Sequence, residues 1–268
     1  MKTIITDPHF DALWEQITKD NPESTIKSDF DFGRFADKSP NLFAHDVKEN
    51  IEHKDVTYIG DFSNTRDLFI HYSTINGILD YYADKVRVIM PFFPVGTMER
   101  IDKKWQIATA KYFADIMSSF PSGRHGKTSI HVFDIHALQE RFYFDNKAVN
   151  IEIHTAMNLL KDEIKGKTIV FPDEWAKKRF GNDFPENEKI FFSKQRNGDE
   201  RILSLQEWTA EGKDMLIVDD LIQSWWTISE AAKILKELWA KSVNAFATHW
   251  VFPNNSHKAL AESVDKLI

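Results

Sequence analysis

Short runs of β-branched and aromatic residues recur along the chain, and stretches with helical spacing follow them. The runs Thr57–Ile59, Val86–Met90, Ile130–Phe133, Thr168–Phe171, Lys189–Phe192, Met215–Val218 and Val243–Thr248 predict strands. Several are continuously apolar, the pattern of a strand covered on both faces. Between them, Ile107–Met117 and Ser229–Trp239 predict helices. Strand and helix in alternation predict an α/β chain with largely parallel sheets flanked by helices.

The best-marked helix follows Met215–Val218. Thr227 and Glu230 have capping-box spacing, with Thr227 at the N-cap, and Ala231, Ile234, Leu235 and Leu238 form an apolar stripe behind them. This predicts strand, loop 219–226, then helix, and ligands bind where loops leave the carboxyl ends of such strands. The polar stretch Glu186–Asp214 carries little periodic signal beyond Lys189–Phe192 and reads largely as a loop. Each half of the chain holds a similar strand–helix series, which predicts two domains, residues 1–148 and 149–268.

Composition narrows the class. The 268 residues are 42% hydrophobic and 28% charged, with a formal net charge of -7, which argues against a sequence-independent nucleic-acid binder. There is no cysteine, so neither disulfides nor cysteine-ligated zinc are available. The first residues carry Asp7 and Asp11 and resemble neither a secretory signal nor a transit peptide, and no apolar run approaches the ~20 residues of a membrane span. A cytoplasmic protein without membrane partners is the expectation.

The common phosphate cradles, GxxxxGK[ST] and GxGxxG, are absent, as are HExxH and GxSxG. Three constellations remain. Asp134 and His136 are two apart at a strand end, where a carboxylate and an imidazole can hold a hydrated Mg²⁺, or cap a turn and sit buried. Asp219 and Asp220 adjoin at the end of a buried strand and repel each other unless something uses them; vicinal ribose hydroxyls are natural partners. The following helix N-terminus, with Ser224, Trp225, Trp226 and Thr227, is an anion site or a simple capping loop. Lys194 and Arg196, two apart in Ser193–Arg201, can serve a triphosphate or form a solvated face.

These pieces, in this order, resemble the phosphoribosyl pyrophosphate (PRPP) synthetases, most closely the shorter class best known from plants. Phe133–Phe144 is similar to that class's metal-binding segment, Pro91–Arg100 to its ATP-side segment, and Arg34–Phe43 to its adenine-receiving loop. Phe171–Arg179 resembles its second metal segment, and Ile217–Thr227 and Thr248–Pro253 resemble the ribose-phosphate loop and the strand after it. The resemblance implies two phosphoribosyltransferase-like domains, a homo-oligomer, and sites near the domain junction and between subunits. By position it implies His136, Asp173 and Asp134 for Mg²⁺, Phe35, Asp37 and Arg100 for ATP, and Lys194 and Arg196 as transition-state cations. Asp219 and Asp220 would take ribose hydroxyls. The implied reaction moves pyrophosphate from ATP to an anomeric hydroxyl.

One departure changes the expected acceptor. Where the family has a small residue and Gly before the Thr, this chain has Trp225 and Trp226. Glycine lets backbone amides curl around a terminal phosphate, and an indole intrudes on that space. The expected acceptor is therefore ADP-ribose, its adenine stacked on an indole, as in similar phage-encoded enzymes that rebuild NAD. Ribose 5-phosphate held by a rearranged loop is the alternative, and a catalytically dead nucleotide-binding homologue the third reading.

Overall fold

Lys2–Thr6 (β1) starts a six-stranded sheet whose members follow in order along the chain. After it along the chain come α1 (Asp11–Asp20), β2 (Thr25–Lys27), the hairpin β3 (Phe30–Arg34) and β4 (Pro40–Ala44), and β5 (Asp55–Ile59). Then come α2 (Leu68–Asp80), β6 (Lys85–Met90), α3 (Thr109–Met117), β7 (Thr128–Phe133) and β8 (Val149–His154). The sheet order is β2-β1-β5-β6-β7-β8, all neighbours parallel, while β3 and β4 form a separate antiparallel pair. This computed structural model describes residues 2–22, 25–197, 200–204, 209–223, 225–251 and 257–268. The chain divides into two compact units, Met1–His154 and Thr155–Ile268. Residue 148 thus falls just before β8, the strand that completes the first sheet.

The second unit repeats the plan. It runs β9 (Thr168–Phe171), α4 (Glu174–Phe180), β10 (Lys189–Phe191), β11 (Ser193–Asn197), β12 (Glu200–Ser204) and β13 (Asp214–Ile222). It continues through α5 (Trp225–Glu237), β14 (Ser242–Trp250), α6 (His257–Ser263) and β15 (Lys266–Leu267). Its parallel five-stranded sheet has the order β10-β9-β13-β14-β15.

The continuous apolar run of β13 has the expected cause. Met215 and Ile217 pack on one face with Ile228, Ala231 and Leu235 of α5, while Leu216 and Val218 pack on the other with Ala176 and Phe180 of α4. At β6 and β7 of the first unit only one face is as deeply covered: Val86, Val88 and Met90 of β6 and Ile130 and Val132 of β7 are buried with Ile75, Ile78 and Phe113. Arg87, Ser129, His131 and Phe133 on the alternate positions are half-buried. Among the described residues, no helix is long and apolar enough to cross a membrane.

Three sequence expectations are corrected. Asp219 and Asp220 lie inside β13, not in a loop, because β14 runs alongside and continues the ladder through Asp219↔Ala247 and Leu221↔His249. The helix then begins at Trp225, so Thr227 is inside its first turn and is not the N-cap. Glu186–Asp214 is also not a plain loop: β11 and β12 form their own antiparallel ribbon, Lys194 opposite Leu203 and Arg196 opposite Arg201.

Candidate functional site

In the second unit the chain adds β10 on one side of β9 and then β13 on the other. Such a reversal opens a crevice at the carboxyl ends of the two strands, the usual ligand position of an open parallel sheet. Asp173 follows β9 there, and Asp219 and Asp220 follow the continuously buried run Met215–Val218 of β13. Asp173 is extended and caps α4, its Oδ1 accepting the Ala176 N–H at 3.0 Å. The Asp220 N–H donates to Asp219 Oδ1 at 3.0 Å. Burial first, then the Asp220 carboxyl and more weakly Asp173, push the Asp219 carboxyl well above the usual carboxylate range. Three acids thus converge where donors are needed. Hydroxyl groups would relieve them.

The crevice is followed by the start of α5. Trp225 and Trp226 occupy its first turn; Ser224 lies outside the described residues. Trp226 lines a groove of about 630 Å³ along α5 and α6, with Ser229, Glu230, Lys233, Lys236, Glu237, Glu262 and Ser263. The spacing of the α5 members places Trp226 on the flank of the helix that continues toward its far end. Thr227 is half-buried. Lys194 and Arg196 lie on the ribbon strand β11.

In the first unit, Asp134 ends β7 with φ 39° and is 2% exposed. Few residues other than glycine take that conformation, and Asp is among the more tolerant. Its N–H donates to the His154 carbonyl at 2.9 Å, which fixes the turn, and His136 is exposed two residues on. Strain recurs in the adjoining segment, where Val95 has φ 55°, an unfavourable conformation for a β-branched side chain. Strained backbone of this kind concentrates at ligand-binding sites. Arg100, at the end of that segment, is exposed and pairs with Asp102 at 3.0 Å and Glu99 at 3.5 Å.

Phe35 stands at the tip of the β3–β4 hairpin, 56% exposed, in a turn closed by its N–H to the Ser39 carbonyl at 2.9 Å. Asp37 accepts the Ser39 hydroxyl at 2.5 Å and the Ser39 N–H at 2.9 Å. Those bonds, the hydroxyl's first, hold its carboxyl below the ordinary value. Arg34 anchors the hairpin by donating to Asp67 at 2.5 Å, just before α2.

The residues suit a divalent ion carried by a polyphosphate. Among those described, no three acidic or imidazole side chains form a metal cluster. Mg²⁺ keeps several waters and is commonly held by one or two carboxylates plus phosphate oxygens. Asp134 with His136, and separately Asp173 in the other unit, are donor sets of that sparse kind.

No family model matches the chain. Curated relatives do. Over 246 residues it is 37% identical to ribose-phosphate pyrophosphokinase 4 of rice, covering 87% of this chain and 74% of that one. The chain belongs to the ribose-phosphate pyrophosphokinase family. The mitochondrial ribose-phosphate pyrophosphokinase 3 of spinach is 36% identical over 255 residues, 93% of this chain and 62% of the relative. The chain spans about six tenths of the length of such type-3 relatives from spinach, rice and Arabidopsis. The fold agrees: the phosphoribosylpyrophosphate synthetase of Mycobacterium smegmatis matches with a TM-score of 0.79 at 19% identity, over 98% of this chain and 86% of that one.

Within the pyrophosphokinase frame, sequence reasoning missed Glu140. It is a fully buried acid next to the Asp134–His136 turn, 0% exposed. The sequence carries no local signal for it, since a Glu between Gln139 and Arg141 gives no apolar reason for burial.

Proposed function

We propose that the chain transfers the β,γ-pyrophosphoryl group of ATP to the anomeric hydroxyl of ribose 5-phosphate. The hydroxyl oxygen bonds to the β-phosphorus, the bond from that phosphorus to the bridging oxygen breaks, AMP leaves with the electron pair, and the hydroxyl proton passes to solvent. The observation that carries this reading is the acid pair Asp219–Asp220 at the β9/β13 crevice, directly ahead of the α5 N-terminus. The carboxylates accept the vicinal ribose hydroxyls, and the helix start accepts the 5-phosphate. Bound Mg²⁺ would neutralise the polyphosphate, with His136 and Asp134 of the first unit, and separately Asp173 of the second, as the residues that would hold it. Phe35 offers an aromatic face to adenine, with Asp37 and Arg100 as polar partners of ATP. Lys194 and Arg196 would meet the charge that develops in transfer. A membership of this kind supports a transferase, and its partners are small molecules.

A second reading keeps the chemistry and changes the acceptor to ADP-ribose, with an adenine stacked on an indole in a route that rebuilds NAD. Its support is the Trp225–Trp226 pair in place of the family's small residue and Gly. The position of Trp226 on the α5 flank beside α6, in a groove lined by Lys233 and Lys236, weakens it, because that flank continues away from the helix start.

The deciding experiment incubates the chain with Mg·ATP and either acceptor and follows AMP and the pyrophosphorylated product by mass spectrometry. Ribose 5-phosphate should give the larger kcat/KM. A larger value with ADP-ribose establishes the second reading, and AMP from neither acceptor defeats both.

A further inference from the structure

Glutamate is almost never fully buried unless something requires it, and a buried carboxylate is costly without hydrogen bonds. Glu140 is 0% exposed. Its Oε2 accepts the Ala137 N–H at 3.0 Å, and its own N–H donates to the Ala137 carbonyl at 2.9 Å. Ala137 is the residue immediately after His136, so this pair of bonds closes the turn that presents the imidazole. A second segment leans on the same place. A Cβ added to Gly96 would stand 3.5 Å from His136 Cβ and 3.6 Å from Glu140 Oε1. The short helix Leu138–Tyr143 that contains Glu140 is tied to that segment again, through the Tyr143 hydroxyl donating to the Glu99 carbonyl.

We propose that Glu140 is a positioning residue: its buried carboxylate locks the His136 turn against the Gly96 segment so that the imidazole stands ready for a divalent cation. The inference rests on His136 being a metal ligand in the proposed reaction. Partners behind a metal ligand fix its orientation, and losing one commonly weakens metal affinity about 10- to 100-fold.

Two variants separate reach from charge. Glu140→Gln keeps the length and an oxygen that accepts the Ala137 N–H, whereas Glu140→Asp keeps the charge and loses a methylene of reach. Mn²⁺ binding in the presence of a non-hydrolysable ATP analogue, followed by electron paramagnetic resonance, gives a readout independent of turnover. Glu140→Asp should bind Mn²⁺ about 10- to 100-fold more weakly, while Glu140→Gln stays close to the unmodified chain. Thermal melting checks that both fold, and Glu140→Leu replaces the Asp variant if that one does not. Unchanged Mn²⁺ affinity in Glu140→Asp overturns the proposal, and so does an equal loss in both variants, since an accepting oxygen at full reach would then not suffice. An unmodified chain that binds no Mn²⁺ overturns the proposal and the metal assignment together. One that binds Mn²⁺ but releases no AMP overturns the proposed reaction alone.

Discussion

The Tyr58 hydroxyl and His71 Nδ1 are 2.6 Å apart in the buried core of the first unit. His71 Nε2 lies 2.8 Å from the Asp61 carbonyl, so Nε2–H donates there and Nδ1 accepts the phenol. Gly60 packs against the pair, and a Cβ on it would stand 2.8 Å from the Tyr58 ring and 3.1 Å from His71 Nδ1. The arrangement requires a neutral imidazole. Burial first holds His71 below its ordinary 6.5 even though Asp7 pulls the other way.

A pH dependence follows. Below about 6.5 the unfolded chain takes up a proton that folded His71 refuses, so stability is present above that value and lost as pH falls through it. His131, lowered by burial and by His154, acts with the same sign. One such proton contributes a slope of at most about 1.4 kcal/mol per pH unit. Melting curves from pH 7.5 to 5.5 should show the loss, and His71→Gln should flatten it while lowering stability throughout. Parallel pH profiles for the two proteins would exclude His71 as the source.

Asp219 carries a stability cost with the opposite sign. Its raised carboxyl means that ionisation above the ordinary value of 3.8 opposes folding. Asp219→Asn should therefore raise the melting temperature, by roughly 2–4 °C if it recovers about 1 kcal/mol in a chain of this size. The same change should remove most AMP release. A variant that is less stable would show that the acids are compensated within the protein.

Asp173 has two separable duties. As N-cap of α4 it holds the Ala176 N–H, a role that Asn fills nearly as well. Asp173→Asn should keep the melting temperature and lose activity, while Asp173→Ala should lose activity and also about 1 kcal/mol of stability. Equal activity in Asp173→Asn and the unmodified chain at limiting Mg²⁺ would remove Asp173 from the metal set.

Trp226 and Trp225 should behave differently. Trp226→Ala removes part of the wall of the groove beside α6 and should destabilise the chain by about 1 kcal/mol without changing the ratio of kcat/KM between ribose 5-phosphate and ADP-ribose. Trp225→Gly restores backbone freedom at the helix start and should favour ribose 5-phosphate. A changed acceptor ratio in Trp226→Ala would return that indole to the pocket.

Lys194→Ala and Arg196→Ala should each lower kcat by on the order of 10²- to 10³-fold with little change in KM for ATP, the mark of donors that act on developing charge. Steady-state kinetics with both substrates varied decides this, and a pure KM effect would make them ordinary nucleotide contacts.

Much of this was legible along the chain, for a physical reason. Strands such as Met215–Val218 are covered on both faces, so burial writes itself into a continuous apolar run. Boundaries were harder. Asp219 and Asp220 look like the end of a strand, yet β14 lies alongside and the ladder continues to Ile222. The β3–β4 hairpin was hidden by Gly33 and Pro40, although Pro40 is tolerated as the first residue of its strand. Phe35, Asp37, Arg100 and Asp173 were named only through resemblance, because single side chains outside the core carry no periodic signal. Glu140 was passed over because burial of a charged side chain is decided by tertiary packing, which local pattern does not encode.

Both sheets are built by the same reversal of strand order, between β1 and β5 in one unit and between β9 and β13 in the other, yet the adjacent acids occur only in the second. On the proposed reading, everything that touches the acceptor is written in one uninterrupted stretch, Asp219 to Thr227. The hairpin tip, the strained turns and Glu140 belong to the other unit. The acceptor stretch can therefore change, double tryptophan included, without altering the first-unit residues proposed to handle the nucleotide. The repeated plan thus leaves the proposed acceptor contacts in one short segment of the second unit.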